Sequence, residues 1–403
     1  MKKQTKFKQT EIGTILNNWE AKRLSEEIEL CYGKGLTENN RISGKFPVFG
    51  SNGVVGFHNQ FLVEGPGIIV GRKGSVGEIK LSKDNFWPID TTYFVKLKKK
   101  GNIYFWYYFL LTLKLNKMNS HSAVPGLNRE QVYEISKEIP AYEEQSSIAK
   151  ILSDLDSKIE LNQQMNKTLE AIGQAIFKHW FVDFEFPNEK GKPYKSSGGE
   201  MVDSELGKIP KGWKVGKVRD IATQSKEQTS PSDYPDDVFN HYSIEAFDIG
   251  KKPILQYGSE ILSNKLVVPK ESILFSKLNP RIPRLWVVID VEKLSVGSTE
   301  FLIFKSNPLF FGYLYFLLGN LTTLSGLIQM AKGTSSSHQR ISANDILNLP
   351  ITIPPKENLL LFEKISLELF KKLEINIKSQ ISLSHIRDSL LPKLMTGKIR
   401  VIA

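Results

Sequence analysis

Basic, amide and hydroxyl side chains in two short loops are the residues of this chain best suited to binding a ligand. They are Arg72, Lys73 and Ser75 in a glycine-punctuated loop, and Lys277, Asn279, Arg281 and Arg284 in a later loop. Glycine lets a backbone approach phosphate closely, and Arg and Asn are side chains that pair with guanine and adenine edges in the major groove. We therefore predict that both loops contact DNA; the alternative is that they are ordinary solvated turns.

Two later segments resemble each other in composition and precede matching Ile-Pro dipeptides. Residues 120–130 include Asn128 and Arg129, and residues 333–342 include Ser336, His338 and Arg340. Each segment combines hydroxyl groups, a histidine and an arginine, which can contact phosphates and base edges. We predict that they add to the DNA-contacting surface.

Catalytic signatures are missing from the sequence. No Gly-Lys pair is followed by Ser or Thr, no Cys/His set has zinc spacing, and the Asn/Asp-Pro-Pro-aromatic tetrapeptide of amino methyltransferases does not occur. Glu64 with Glu78 and Lys80 loosely resembles a metal-dependent nuclease triplet, a pattern that also arises by accident. We predict no catalytic, cofactor-binding or metal-binding residue, and keep a self-contained nuclease as the rival hypothesis.

The loops lie in a chain that repeats itself. A shift of 214 residues aligns 139–180 with 353–394 without a gap, and a second match pairs 10–19 with 204–213. The regions between these matches have diverged, which predicts two variable globular parts on a repeated frame.

Each repeat ends in a segment typical of a long helix. From Tyr142 to Trp180 there is no proline, and apolar residues recur at spacings of three and four. A helix of that length reaches about 58 Å. A matching segment runs from Glu357 to Leu394. Neither narrow apolar seam can be buried alone, so we predict that the two helices pack on each other, in an antiparallel coiled coil that separates the globular parts.

These patterns predict an α+β fold with an internal pseudo-twofold repeat. We assign a first globular domain to residues 1–140, a long helix to 141–184, a linker to 185–212, a second globular domain to 213–353 and a second helix with a tail to 354–403. The aromatic cluster at 177–186 is expected to be core packing, with a binding platform as the alternative.

Composition favours a polyanionic partner. The 403 residues carry a formal net charge of +11, with a pI near 9.3. The single cysteine, Cys31, permits no internal disulfide, and the longest apolar run, 103–113, is too short to span a bilayer. We expect a soluble cytoplasmic protein without membrane contacts.

Three segments closely resemble the specificity subunits of Type I restriction-modification systems: 139–152, 181–213 and 385–401. The resemblance implies that each globular part is a target recognition domain for one half of a bipartite site in double-stranded DNA. It also implies that the helices act as a spacer and dock two modification subunits, with two restriction subunits in the complex. S-adenosylmethionine, ATP and Mg would then belong to partner subunits.

The helix seams supply the residues expected to dock partners. These are Ile148, Leu155, Ile159, Ile365, Leu369 and Leu390. The second helix departs from the family pattern by opening with Lys356-Glu357-Asn358, where the first has Glu144-Gln145. A coiled-coil adaptor without DNA recognition is a further alternative, which the basic loops argue against.

Overall fold

The computed structural model describes residues 7–10, 13–16, 19–118, 126–291, 294–331 and 339–401, with side chains from Trp19 onward. The chain divides into two compact units. Unit 1 comprises residues 1–158 and 382–403, and unit 2 comprises residues 159–381. Each unit therefore combines one globular part with a stretch of both long helices.

Unit 1 is built on a four-stranded antiparallel sheet. Its strands are β1 (Phe7–Thr10), β2 (Gly13–Leu16), β3 (Glu20–Arg23), β4 (Ile28–Tyr32), β5 (Phe46–Gly50), β6 (Gly53–His58), β7 (Gly67–Gly71), β8 (Ile79–Ser82), β9 (Trp87–Pro88), β10 (Thr92–Leu97) and β11 (Ser136–Ile139), and its short helices are α1 (Leu24–Glu27), α2 (Ile103–Thr112) and α3 (Arg129–Tyr133). The central sheet has the order β4-β10-β7-β8, and a second sheet has the order β6-β5-β9. Strand β7 is buried along its whole length, as its continuous apolar sequence requires.

Unit 2 repeats the central sheet. The first long helix is α4 (Tyr142–Phe177). It is followed by β12 (Met201–Ser204), β13 (Gly207–Pro210), β14 (Lys214–Lys217), β15 (Ala222–Ser225), β16 (Gln228–Thr229), β17 (Val238–Tyr242), α5 (Ile244–Gly250), β18 (Ile254–Tyr257), β19 (Lys265–Val267), β20 (Ser272–Ser276), β21 (Leu285–Val288), β22 (Ser295–Gly297), β23 (Phe301–Ser306), α6 (Phe311–Gly319), α7 (Leu321–Met330), α8 (Ala343–Leu347), β24 (Pro350–Ile353) and the second long helix, α9 (Lys356–Met395). The antiparallel order β15-β23-β20-β21 corresponds strand for strand to β4-β10-β7-β8. The mixed helix and strand content confirms the α+β prediction.

The two long helices run antiparallel where they meet. Within unit 2, Asn162 donates to Ser379 over 3.1 Å, and Asn376 donates to Asn166 over 2.8 Å. Within unit 1, Arg387 forms an ion pair with Asp156 at 2.7 Å. Later positions of α4 thus meet earlier positions of α9. Asn162 and Asn376, equivalent in the repeat, are each only 3% exposed. Buried asparagines in a helix seam favour one register, because any slip leaves an amide unpaired.

Each globular part is anchored to a long helix through an aromatic helix. In unit 1, Asn102 caps the start of α2 and its backbone N–H donates to Gln145 of α4. In unit 2, both carboxyl oxygens of Glu363 on α9 accept backbone N–H groups at the start of α6. These contacts place the sheets on the helices.

The segment 185–212 is folded, which corrects its prediction as a simple linker. Strands β12 and β13 form a hairpin, and Phe186 stacks between Tyr194 and Trp213 at centroid distances of 4.6 and 5.2 Å. Phe177, Phe181 and Phe186 are buried in the core of unit 2, so the core interpretation of the aromatic cluster is confirmed. The composition, rich in Gly, Pro, Ser and Lys, indicated a linker. It did not reveal the packing, because one aromatic partner, Trp213, lies beyond the segment.

Within the described ranges, no single helix is long and apolar enough to cross a membrane. One bent pair, Pro308–Gly319 with Leu321–Met330, meets that test on length and composition alone, with an angle of 66° between its helices. Most of the first helix of this pair is buried in the core of unit 2.

Candidate nucleic-acid interface

In unit 1, the structure brings together the two basic segments that the sequence separates. Loop pair 1 consists of residues 71–75, after β7, and residues 126–129, before α3. Lys73 forms a β-bridge with Gly126, and the Leu127 N–H donates to the Arg72 carbonyl over 3.0 Å. Gly74 lies at the turn of the first of these two loops. Its φ of +77° is a backbone conformation that glycine adopts without strain.

The side chains of loop pair 1 gather around one tyrosine. The guanidinium carbons of Arg72 and Arg129 each lie 5.2 Å from the ring centroid of Tyr32. Arg72 also donates to the Asp90 carbonyl, over 3.1 and 2.6 Å. Lys73 is exposed and Ser75 is half-buried. The Asn128 side chain accepts the Glu130 N–H and so caps α3, which occupies its carbonyl oxygen.

Unit 2 contains a loop pair of the same construction. Loop pair 2 consists of residues 276–284, after β20, and residues 339–342, before α8. Leu278 forms a β-bridge with Arg340, the Asn279 N–H donates to the Gln339 carbonyl over 2.8 Å, and the Ile341 N–H donates to the Lys277 carbonyl over 3.0 Å.

Further details of the two pairs correspond. Asn279 has φ of +48° where loop pair 1 has Gly74. Ser342 caps α8 as Asn128 caps α3. The same backbone frame therefore carries different side chains in the two units.

Carboxylates hold two arginines of loop pair 2. Arg284 forms a two-pronged ion pair with Asp248, at 2.7 and 2.8 Å, and its side chain is 12% exposed. These hydrogen bonds raise the pKa of the Arg284 guanidinium. Arg340 donates to Glu300 over 3.1 and 3.4 Å, at an open groove that Lys226 and Lys277 also line. Arg281 is exposed, with no ion pair among the described residues.

Two predicted contact residues, Ser336 and His338, lie outside the described residues. The structure thus places Arg72, Lys73, Ser75, Asn128 and Arg129 in one loop pair. It places Lys277, Asn279, Arg281, Arg284 and Arg340 in the other. Sequence reasoning missed three partners of these side chains, Tyr32, Asp248 and Glu300, since no motif links them to the loops.

Comparisons with known proteins find similar chains. The family model described as the Type I restriction modification DNA specificity domain matches residues 16–171. The Type I restriction enzyme MjaIX specificity subunit of Methanocaldococcus jannaschii is 27% identical over 447 residues, which span 99% of this chain and 97% of the relative. Over nearly its whole length, this chain is similar to Type I restriction specificity subunits.

Other similarities to this family cover most of the chain. The HindI specificity subunit of Haemophilus influenzae is 25% identical over 386 residues, covering 78% of this chain and 82% of the relative. The crystal structure of the Type I S subunit from M. genitalium has the same fold, with a TM-score of 0.55 at 16% identity. The superposition covers 94% of this chain and 96% of the M. genitalium chain. The predicted resemblance to the specificity-subunit family is confirmed.

Two of the six helix residues predicted to dock partner subunits are buried in the structure. Ile148 is 0% exposed and lies in the core of unit 1, and Ile159 is 9% exposed. Leu155, Ile365, Leu369 and Leu390 are partly buried. Burial of Ile148 and Ile159 leaves neither side chain free to contact a partner subunit.

Other apolar residues of the long helices are exposed, and they recur in the repeat. Leu161 and its equivalent Ile375 are 46% and 58% exposed, and Ile172 and its equivalent Ile386 are 44% and 46% exposed. In each helix the two positions are eleven residues apart, close to three full turns, so they share one face of that helix.

Two members of the rival nuclease triplet form a surface ion pair. Lys80 lies 3.7 Å from Glu78, with both side chains about two-fifths exposed. Across the described ranges, no group of three or more His, Cys, Asp or Glu residues is arranged to hold a metal ion.

Proposed function

We propose that this chain is the DNA-reading subunit of a Type I restriction-modification complex and that each unit reads one half of a two-part target. The observation that carries the proposal is the recurrence of a basic loop pair on the same backbone frame in both units. A shared frame with different side chains suits two half-sites of different sequence.

In this proposal the long helices set the distance between the half-sites. Helices of 36 and 40 residues reach about 54 and 60 Å, which allows reading centres on the order of 17 base pairs apart at most, at about 3.4 Å per base pair. The antiparallel contacts between α4 and α9 support a spacer built from both helices. The exposed pairs Leu161 with Ile375 and Ile172 with Ile386 are the proposed docking residues for two modification subunits, because equivalent positions can bind two copies of one partner.

The chemistry is assigned to other subunits. We propose that the chain itself is non-catalytic and acts in the cytoplasm, while modification subunits bind S-adenosylmethionine and two restriction subunits use ATP and Mg. This division is what the resemblance to the specificity subunits implies, and the lack of phosphate-binding and methyl-transfer motifs in the sequence supports it.

Exchange of one recognition part tests the proposal. Residues 213–352 would be replaced by the corresponding segment of a relative, and methylated adenines would be mapped in cells that co-express the cognate modification subunit. We expect one half of the methylated site to change and the other half and the gap to stay constant. Exchange of residues 20–138 is the matched control and should change the opposite half. A change in both halves after a single exchange would contradict the two-part model.

A further inference from the structure

Tyr32 is an exposed aromatic residue that contacts both loops of loop pair 1. It ends strand β4, is 52% exposed, and pairs in register with Tyr93 of β10. The two rings lie 5.1 Å apart. Two guanidinium groups, from Arg72 and Arg129, lie at 5.2 Å from the Tyr32 centroid. One ring therefore gathers two cations that come from different loops.

An aromatic ring positions a cation differently from a carboxylate. The ring attracts the guanidinium through its quadrupole and leaves the positive charge uncompensated. Arg284 and Arg340 of unit 2 are instead held by Asp248 and Glu300, which neutralise them. Arg129 also contacts Glu130 at 3.2 Å, but those two side chains are 39% and 68% exposed and are screened by water.

The geometry of the ring also limits the freedom of both arginines. A free arginine side chain loses rotamer entropy when it is fixed against a base, and that loss weakens binding. Contact with Tyr32, together with the hydrogen bonds from Arg72 to the Asp90 carbonyl, restricts the side chains before any ligand arrives.

We propose that Tyr32 is a specificity-determining positioning residue, which pre-orients Arg72 and Arg129 toward the base edges of one half-site. This inference rests on the proposed DNA-reading function and extends it to a residue outside the predicted loops. A ring without its hydroxyl can perform the role, whereas an aliphatic side chain of similar size cannot.

The test is a selection from duplex DNA that contains 30 randomised base pairs, applied to the full chain. Four proteins are compared: the parent, Tyr32→Phe, Tyr32→Leu and the control Tyr234→Leu. Tyr234 is also 52% exposed but lies in unit 2, away from either loop pair in sequence. Bound sequences are determined, affinities for the parent's selected duplex are measured, and thermal unfolding shows that each variant is folded.

We expect Tyr32→Leu to bind the selected duplex between about fivefold and thirtyfold more weakly, from the loss of two exposed cation–π contacts. Its selected motif should be relaxed in one half-site only, while Tyr32→Phe and Tyr234→Leu should match the parent. A merely structural role for Tyr32 would not relax one half-site selectively.

Two results overturn the inference in distinguishable ways. If the parent selects a two-part motif and Tyr32→Leu keeps the same motif with affinity within twofold, Tyr32 has no positioning role and the proposed function stands. If the parent selects no motif, the proposed function fails together with the inference. An equal loss in Tyr32→Phe and Tyr32→Leu would assign the effect to the hydroxyl and also overturn it.

Discussion

Glu300→Gln should make DNA binding by this chain more sensitive to salt. In the parent, Glu300 accepts hydrogen bonds from Arg340 over 3.1 and 3.4 Å, and the two side chains are 28% and 53% exposed. A carboxylate in this position neutralises the arginine and repels phosphate. A neutral glutamine should release Arg340 to contact one additional phosphate.

The magnitude follows from counterion release. Each additional neutralised phosphate steepens the dependence of log affinity on log salt by about 0.9. Between 50 and 200 mM salt, a fourfold change, the advantage of the variant over the parent should therefore shrink about 3.5-fold. Protein stability should change little, because an exposed ion pair of this kind contributes about 0–1 kcal/mol.

The assay is fluorescence anisotropy with a labelled duplex of arbitrary sequence at four or more salt concentrations. Asp236→Asn is the matched control, since it makes the same change in net charge at an exposed residue outside loop pair 2. The double variant Glu300→Gln with Arg340→Gln should lose the added slope. A slope for Glu300→Gln within about 0.3 of the parent, or an equal increase in Asp236→Asn, would refute the reasoning.

Three further predictions concern the frame that holds the loop pairs. Burial raises the pKa of Glu363 to about 7, so the group's favourable contribution is complete below about pH 4 and is lost as the pH rises through 7. The unfolding free energy of the parent should therefore fall between pH 5 and 8. In Glu363→Gln this fall should be smaller by up to about 3 kcal/mol, measured by urea titration, whereas the exposed control Glu357→Gln should show the same fall as the parent. Arg400 pairs with the buried carboxylate of Glu144 at 2.7 and 2.9 Å. Arg400→Gln should therefore lower the unfolding free energy by about 2 kcal/mol. Lys398→Gln is the control, and equal unfolding free energies for the two variants would argue against a stabilising pair. Four residues inserted near Asn162, about 6 Å of helix, should lengthen the unread gap by one or two base pairs in methylation maps, and an unchanged gap with normal methylation would count against the spacer.

The sequence by itself determined the long helices closely. The prediction from Glu357 to Leu394 corresponds to Lys356–Met395 in the structure, and the first predicted helix begins at the observed Tyr142. Apolar spacing and the prolines before each helix are local signals, so neighbouring residues alone specify them. The basic loops were identifiable for the same reason, because glycine, proline and asparagine mark turns wherever the chain folds.

Only the tertiary structure decided what the side chains of those elements contact. The guanidinium of Arg284 is held by Asp248, Arg340 is held by Glu300, and Arg72 and Arg129 share Tyr32. Likewise, Ile148 is buried in the core of unit 1 and not on a docking surface. These partners come from different strands and loops, and the order of strands in a sheet is not a property of local sequence. Periodicity indicates which side chains must be buried or paired, whereas the pairing of strands decides which residues they contact.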